Sequence, residues 1–142
     1  MEKEIKKNRA SSQKILDNPS HGRRLKQWPC KLNLVPVGAP YLDGADLLII
    51  ADCAAFAAPF LYAELMDGAV TLTVCPRLEG DGARDKLVKL LASTSPRSIR
   101  TVRMETALCD NLGEWVGEAV RESGKDIPIE SVILTTEGKI IR

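Results

Sequence analysis

Six aromatic side chains, a single histidine and no Cys-x-x-Cys pair are what this 142-residue sequence has to offer in three chemically telling categories. Each shortage excludes something. With aromatics at 4% and no basic–aromatic interleaving around Trp28 or Trp115, there is no stacking platform, and nucleic acid is not an expected partner. One histidine, His21, leaves a Cys–His catalytic pair improbable by supply alone. The missing Cys-x-x-Cys removes the spacing by which zinc ribbons and ferredoxin clusters are read. "LDGADLL" and "LEGDGAR" carry glycines but form no G-x-G-x-x-G loop after a strand, so dinucleotide binding has no motif behind it.

Long hydrophobic runs are absent too. A bilayer span needs roughly 20 apolar residues, and the best stretch, "ADLLIIADCAAFAAPFLYAELM", is interrupted by Asp46, Asp52 and Pro59. No apolar segment follows the first lysines, so neither a signal peptide nor membrane attachment is expected, and the location is expected to be cytoplasmic. In that compartment four cysteines read as buried thiols or ligands rather than a disulfide framework.

Net charge is +1, but it is unevenly placed. Residues 1–31 hold nine Lys and Arg against three Asp and Glu, and residues 32–142 hold eleven against sixteen. We therefore read residues 1–29 as a basic lead-in or linker and residues 30–142 as one α/β domain. The aromatic-poor composition calls for a core of aliphatic residues and alanine.

Hydrophobic patterning supports strand–helix alternation. "KLNLV" (Lys31–Val35) alternates as a strand does, and "ADLLIIA" (Ala45–Ala51) is a continuous apolar run suited to a strand covered on both faces. A helix is predicted from near Ala58, with Pro59 in its first turn, to "MDG". "AVTLTV" (Ala69–Val74) is the next strand. Asp81 is a plausible N-cap for a helix whose stripe is Leu87, Val88, Leu90 and Leu91. "SIRTVRM" (Ser98–Met104) follows as a strand. Asn111 with Glu114 reads as a capping box for a helix bearing Leu112, Trp115, Val116, Ala119 and Val120 on one face, closed at Ser123–Gly124. "SVILTT" (Ser131–Thr136) is a further strand, and "EGKIIR" a turn into a short final one. The pattern predicts a three-layer open α/β sandwich with a mostly parallel sheet and a short C-terminal hairpin.

On such a sheet Cys53, Cys75 and Cys109 all fall on strand-to-helix connections. Parallel strands put those connections at one carboxyl edge, where open α/β proteins place their sites. Residues separated by 22 and 34 positions are thereby gathered at one rim. Helix N-termini there favour thiolates, and three thiolates suit iron, zinc or an iron–sulfur cluster. The fourth ligand is open: Asp52 and Asp110 could each offer oxygen, as could a second chain. Cys30, at the start of a parallel strand, is expected at the opposite rim. Free cysteine also often only fills space, so packing is the competing reading for each thiol. Arg77 and Arg84 miss the five-residue spacing from Cys75 that a cysteine phosphatase loop requires.

Several segments together resemble a known family. "RRLKQWPCKLNLVPVGAPYLDGADLLIIADCAAFA", "VCPRLE", "VRMETALC" and "IPIESVILTTEGKI" are similar to the C-terminal domain of ferredoxin-like (4Fe-4S) iron–sulfur proteins of anaerobic bacteria. The similarity covers roughly Arg23 to the C-terminus. It implies that Cys53, Cys75 and Cys109 are the domain's recurring thiols and that its context is redox. The ferredoxin cysteine runs themselves are absent. Where the family carries a paired-cysteine turn followed by two glycines, this chain has Leu108, Cys109, Asp110 and Asn111.

The leading expectation is an accessory redox domain that binds a metal ion or iron–sulfur cluster through Cys53, Cys75 and Cys109, with Asp110 as a further ligand. It would dock or relay electrons to a ferredoxin-type or other redox protein, and it is compatible with a homodimer. The alternatives are a thiol-dependent enzyme using one reactive cysteine, such as Cys109 at its helix N-terminus, and an interaction domain whose thiols only pack.

Overall fold

The computed structural model describes residues 25–141, so His21 and most of the basic lead-in lie outside it. Its centre is β1 (Asp46–Ala51), in which every residue from Leu47 to Ala51 is buried. Removing each of the large side chains Leu47 to Ile50 from water is worth about 2 kcal/mol, which makes this run the natural middle strand. β2 (Val70–Val74) and β3 (Ser98–Met104) flank it in parallel, β4 (Ile129–Leu134) adds parallel to β3, and β5 (Ile140–Ile141) closes the edge antiparallel. The strand order is β2-β1-β3-β4-β5.

The expected alternation of helices fills the crossovers. α1 (Ala54–Ala57) and α2 (Pro59–Met66) follow β1, broken at Ala58 where Pro59 starts a new first turn. α3 (Pro76–Ser93) follows β2 and α4 (Asn111–Ser123) follows β3. Because the chain steps one way to reach β2 and the other way to reach β3 and β4, right-handed crossovers put α1 and α2 on one face and α3 and α4 on the other. α3 and α4 indeed pack on each other. Leu112, Trp115, Val116, Ala119 and Val120 are all buried, and Trp115 is the one aromatic side chain in an otherwise aliphatic and alanine core among the described residues. No described helix is long and apolar enough to cross a membrane.

Three local expectations are corrected. "KLNLV" is not a strand: Lys31 makes one parallel bridge to Thr73, and Leu32–Leu34 is a 3-10 turn. Its buried positions are Leu32 and Val35, three apart, while Leu34 is 65% exposed, so the apparent alternation was not the period that folding used. α3 starts at Pro76, not Asp81. It breaks at Gly80, whose φ of 58° and ψ of −149° suit glycine alone, and its second part runs from about Asp81. The Asn111–Glu114 capping box does not form: Asp110 is the N-cap, Asn111 is already helical, and no side chain caps the end.

Candidate functional site

β1 and β2 end level with one another, Ala51 opposite Val74, and the Asp52 amide extends the ladder by donating to the Val74 carbonyl at 3.0 Å. Cys53 and Cys75 therefore leave the sheet side by side. Cys53 opens the turn into α1, its carbonyl accepting from the Phe56 and Ala57 amides at 3.1 Å each. Cys75 is the N-cap residue of α3, with Pro76 supplying the first helical position, where no N–H is needed. Cys109 comes from the turn after β3, tied down by its amide on the Thr106 carbonyl at 3.2 Å and by the Leu108 amide on Thr106 Oγ1 at 3.0 Å. The connections after β1 and β3 run to opposite faces, which makes their carboxyl ends the topological switch point of the sheet, where doubly wound folds hold ligands. Cys53 and Cys109 lie on those two connections.

Electrostatics tie the three thiols together. Burial pushes the Cys109 thiol above its usual 9.0, a hydrogen bond from the Met104 backbone pulls the other way, and negative charge at Cys75 and Cys53 adds to the rise. Burial thus works against the expected favouring of the Cys109 thiolate by a helix N-terminus. Cys109 precedes the N-cap residue Asp110 and packs, partly buried, against the core. Cys53 is exposed, and Cys75 and Cys109 are half-buried.

Sequence reasoning missed the residue that braces the rim. The Lys31 ammonium donates to Asp52 Oδ2 at 2.5 Å and reaches Glu79 Oε2 at 2.9 Å. Partial burial works against that charge, but hydrogen bonds to Asp52 and Glu79 hold its pKa above the ordinary lysine value. Glu79 also accepts from the Cys75 amide and, at 3.0 Å, from Asn33 Nδ2. One lysine thus pins the turns that carry Cys53 and Cys75. The spacing "CPRLE", with a carboxylate four residues after the thiol, was the available signal.

The other proposed ligands are occupied or displaced. Asp52 is held by Lys31. Asp110 accepts from Arg103 Nη1 at 3.1 Å. Cys30 is not at the opposite rim: the Thr73 amide donates to its carbonyl at 2.8 Å, placing it beside the carboxyl half of β2. The strand that would have carried it away never forms. Among the described residues no three His, Cys, Asp or Glu side chains converge closely enough to hold a metal ion. The three thiols share a rim without closing into a ligand set within one chain.

Beside Cys53 runs a shallow, largely apolar groove lined by Lys31, Asp52, Ala55, Phe56, Pro59 and Thr73. At the other end of the sheet, a cleft of about 390 Å³ is lined by residues including Asp46, Ser98, Arg100 and Glu130.

Comparison with known proteins agrees with this architecture. A protein of Archaeoglobus fulgidus, described only as uncharacterized, is 30% identical over 118 residues, 83% of this chain and 84% of its own length. No solved structure matches. The turn after β1 reads Asp52-Cys53-Ala54 and carries none of the glycines of the dinucleotide fingerprint, and a fold alone does not assign a ligand. With its match over residues 39–142, the chain belongs to the Rossmann-like domain family.

Proposed function

We propose that this chain is an accessory redox domain whose carboxyl rim binds a soft metal ion or an iron–sulfur cluster through Cys53, Cys75 and Cys109 and relays electrons to a ferredoxin-type partner. The observation behind it is that the parallel pairing of β1, β2 and β3 sets the connections carrying Cys53, Cys75 and Cys109 at one carboxyl edge of the sheet. The family resemblance of the cysteine turns supports the same reading. Thiolate donors suit iron, zinc or a cluster by their softness. When bound, such a group supplies a one-electron couple or a Lewis acid. The chain's own part is to present the sulfurs, with Lys31 fixing the turns of Cys53 and Cys75. Because the three sulfurs do not converge in the described residues, binding requires the turns that carry them to close together, with a further ligand from outside the described residues or from Asp110 once Arg103 releases it.

The test is anaerobic titration of the reduced protein with Co²⁺. Thiolate-to-cobalt absorption in the near ultraviolet is expected, with affinity rising with pH because each thiol, Cys109 above all, must lose its proton. Replacing any one of the three cysteines by serine should weaken binding at least about tenfold. Cobalt that binds without sulfur bands, or equally well to the triple serine variant, rules the proposal out. For the thiol-enzyme alternative, burial disfavours ionisation of Cys109, so the exposed Cys53 is the better nucleophile to test.

A further inference from the structure

Residues 26–31 lie along the outer side of β2, the edge strand of the sheet, and hold it differently from the way strands hold one another. One backbone bridge, Lys31 to Thr73, joins them, with the Thr73 amide donating to the Cys30 carbonyl at 2.8 Å. The other ties are side chains. Lys26 Nζ donates to the Gly68 carbonyl at 3.1 Å, Gln27 Nε2 donates to the Thr71 carbonyl at 2.6 Å, and the Lys31 ammonium reaches Asp52 and Glu79. Little apolar burial backs these bonds: Trp28 is 83% exposed and Leu25 is exposed too. Among the described residues, the two buried side-chain atoms without a hydrogen-bond partner are Gln27 Oε1 and Thr71 Oγ1, and both belong to this junction. A segment with few apolar contacts and unmet polar atoms opens at low cost, and opening returns Gln27 Oε1 to water.

From these ties we infer that residues 26–31 are a latch: they leave the β2 edge while the sheet stays folded, and their release loosens the turns that carry Cys53 and Cys75. This goes beyond the metal reading and holds whether or not a metal binds. Lys31 is the link. It sits on the latch, yet both of its carboxylate partners are on the rim. Asp52 is the neighbour of Cys53, and Glu79, in the first turn of α3, also accepts from the Cys75 amide at 2.5 Å. The two carboxylates touch one nitrogen, so without it two like charges face each other at short range and push the turns apart. Cys109 stands outside this coupling, because its turn is tied to Thr106 and not to the latch. The latch thereby sets the reactivity of Cys75 above all, since Cys53 is already exposed.

Amide exchange of the full, reduced chain, followed residue by residue by NMR, tests whether the latch opens alone. The Thr73 amide faces the latch, whereas Leu72 and Val74 face β1 by alternation, as the Val74 carbonyl does in accepting from Asp52. Thr73 is expected to exchange at least about tenfold faster than Leu72 and Val74. Equal rates would mean that the segment opens only with the sheet, and the inference fails. Lys31→Met and the milder Glu79→Gln, each checked for native circular dichroism, test the link to the rim. In Lys31→Met, Thr73 exchange and iodoacetamide labelling of Cys75 should both rise about tenfold with the Cys109 rate unchanged, and Glu79→Gln should move both the same way by less. If Thr73 exchange rises while Cys75 labelling stays at the parent rate, the latch does not act on the rim and the inference is overturned. It is overturned equally if neither changes, or if Cys109 speeds up together with Cys75, which would be a general loosening of the fold.

Discussion

Cys109 sets two opposing effects against each other: a nearby helix N-terminus that would stabilise its thiolate, and a half-buried position against the core that disfavours any charge. The helix begins beyond Asp110 and the thiol packs against the core, and this burial pushes its pKa up. Access and ionisation together then order the thiols. With limiting iodoacetamide at neutral pH, read by peptide mass spectrometry, Cys53 is expected to label first and Cys109 last. The Cys109 rate should keep climbing with pH beyond the usual thiol value of 9.0. If Cys109 labels first, its environment is not the one described. The positions of Cys53, Cys75 and Cys109 were legible in the sequence, since strand ends and parallel topology fix them without any motif. Lys31, Glu79 and the location of Cys30 were not. They depend on a segment whose Leu32–Leu34 alternation imitates a strand, while its buried pair, Leu32 and Val35, follows a tighter turn.

Among the elements, those with long and unambiguous patterns were readable. β3 runs from Ser98 to Met104 as its sequence suggested, and α4 buries all five residues of its predicted stripe. The end of α4 was less so: Asn111 and Glu114 have the spacing of a capping box, but the turn from Thr106 delivers the chain already helical at Asp110. What no periodicity could reveal is that the hairpin between β4 and β5 leans on α1. A methyl group on Gly138, which sits at φ 83°, would collide with the Ala57 carbonyl, whereas at Gly124, φ 70°, it would meet open space. Both substitutions carry the left-handed strain of about 1–2 kcal/mol, but only one also forces backbone apart. Gly138→Ala should therefore cost about 2 kcal/mol or more in urea unfolding, clearly beyond Gly124→Ala. Equal losses would mean that the hairpin does not brace the turn that carries Cys53.

Across the whole molecule the sheet separates two polar ends. The class of fold and its C-terminal hairpin could be read from alternation, but the order β2-β1-β3-β4-β5 could not, because nothing in a crossover helix says which way the chain steps. That order sets the thiols at one end and an ionic cluster at the other, about 17 Å apart along the six residues of β1. At the amino end Asp46 accepts from Arg97 and, at 2.7 Å, from Ser98 Oγ, and these bonds hold its carboxyl at about 2 against a usual 3.8. A lowered folded pKa stabilises the fold above the unfolded value, and the benefit fades as pH falls through the folded one. Asp46→Asn should thus be less stable than the parent by a nearly constant amount above about pH 5, with a gap that shrinks as pH falls and closes only at about pH 1. The gap is small and shrinks in salt, since the Asp46 and Arg97 side chains are 41% and 71% exposed. The cobalt spectrum of the rim should not change at all, because the substitution touches neither a thiol nor the Lys31 brace. A shifted cobalt spectrum, or a stability gap that survives at about pH 1, would mean that the two ends of the sheet are coupled through β1 and that the rim is not set by its own turns alone.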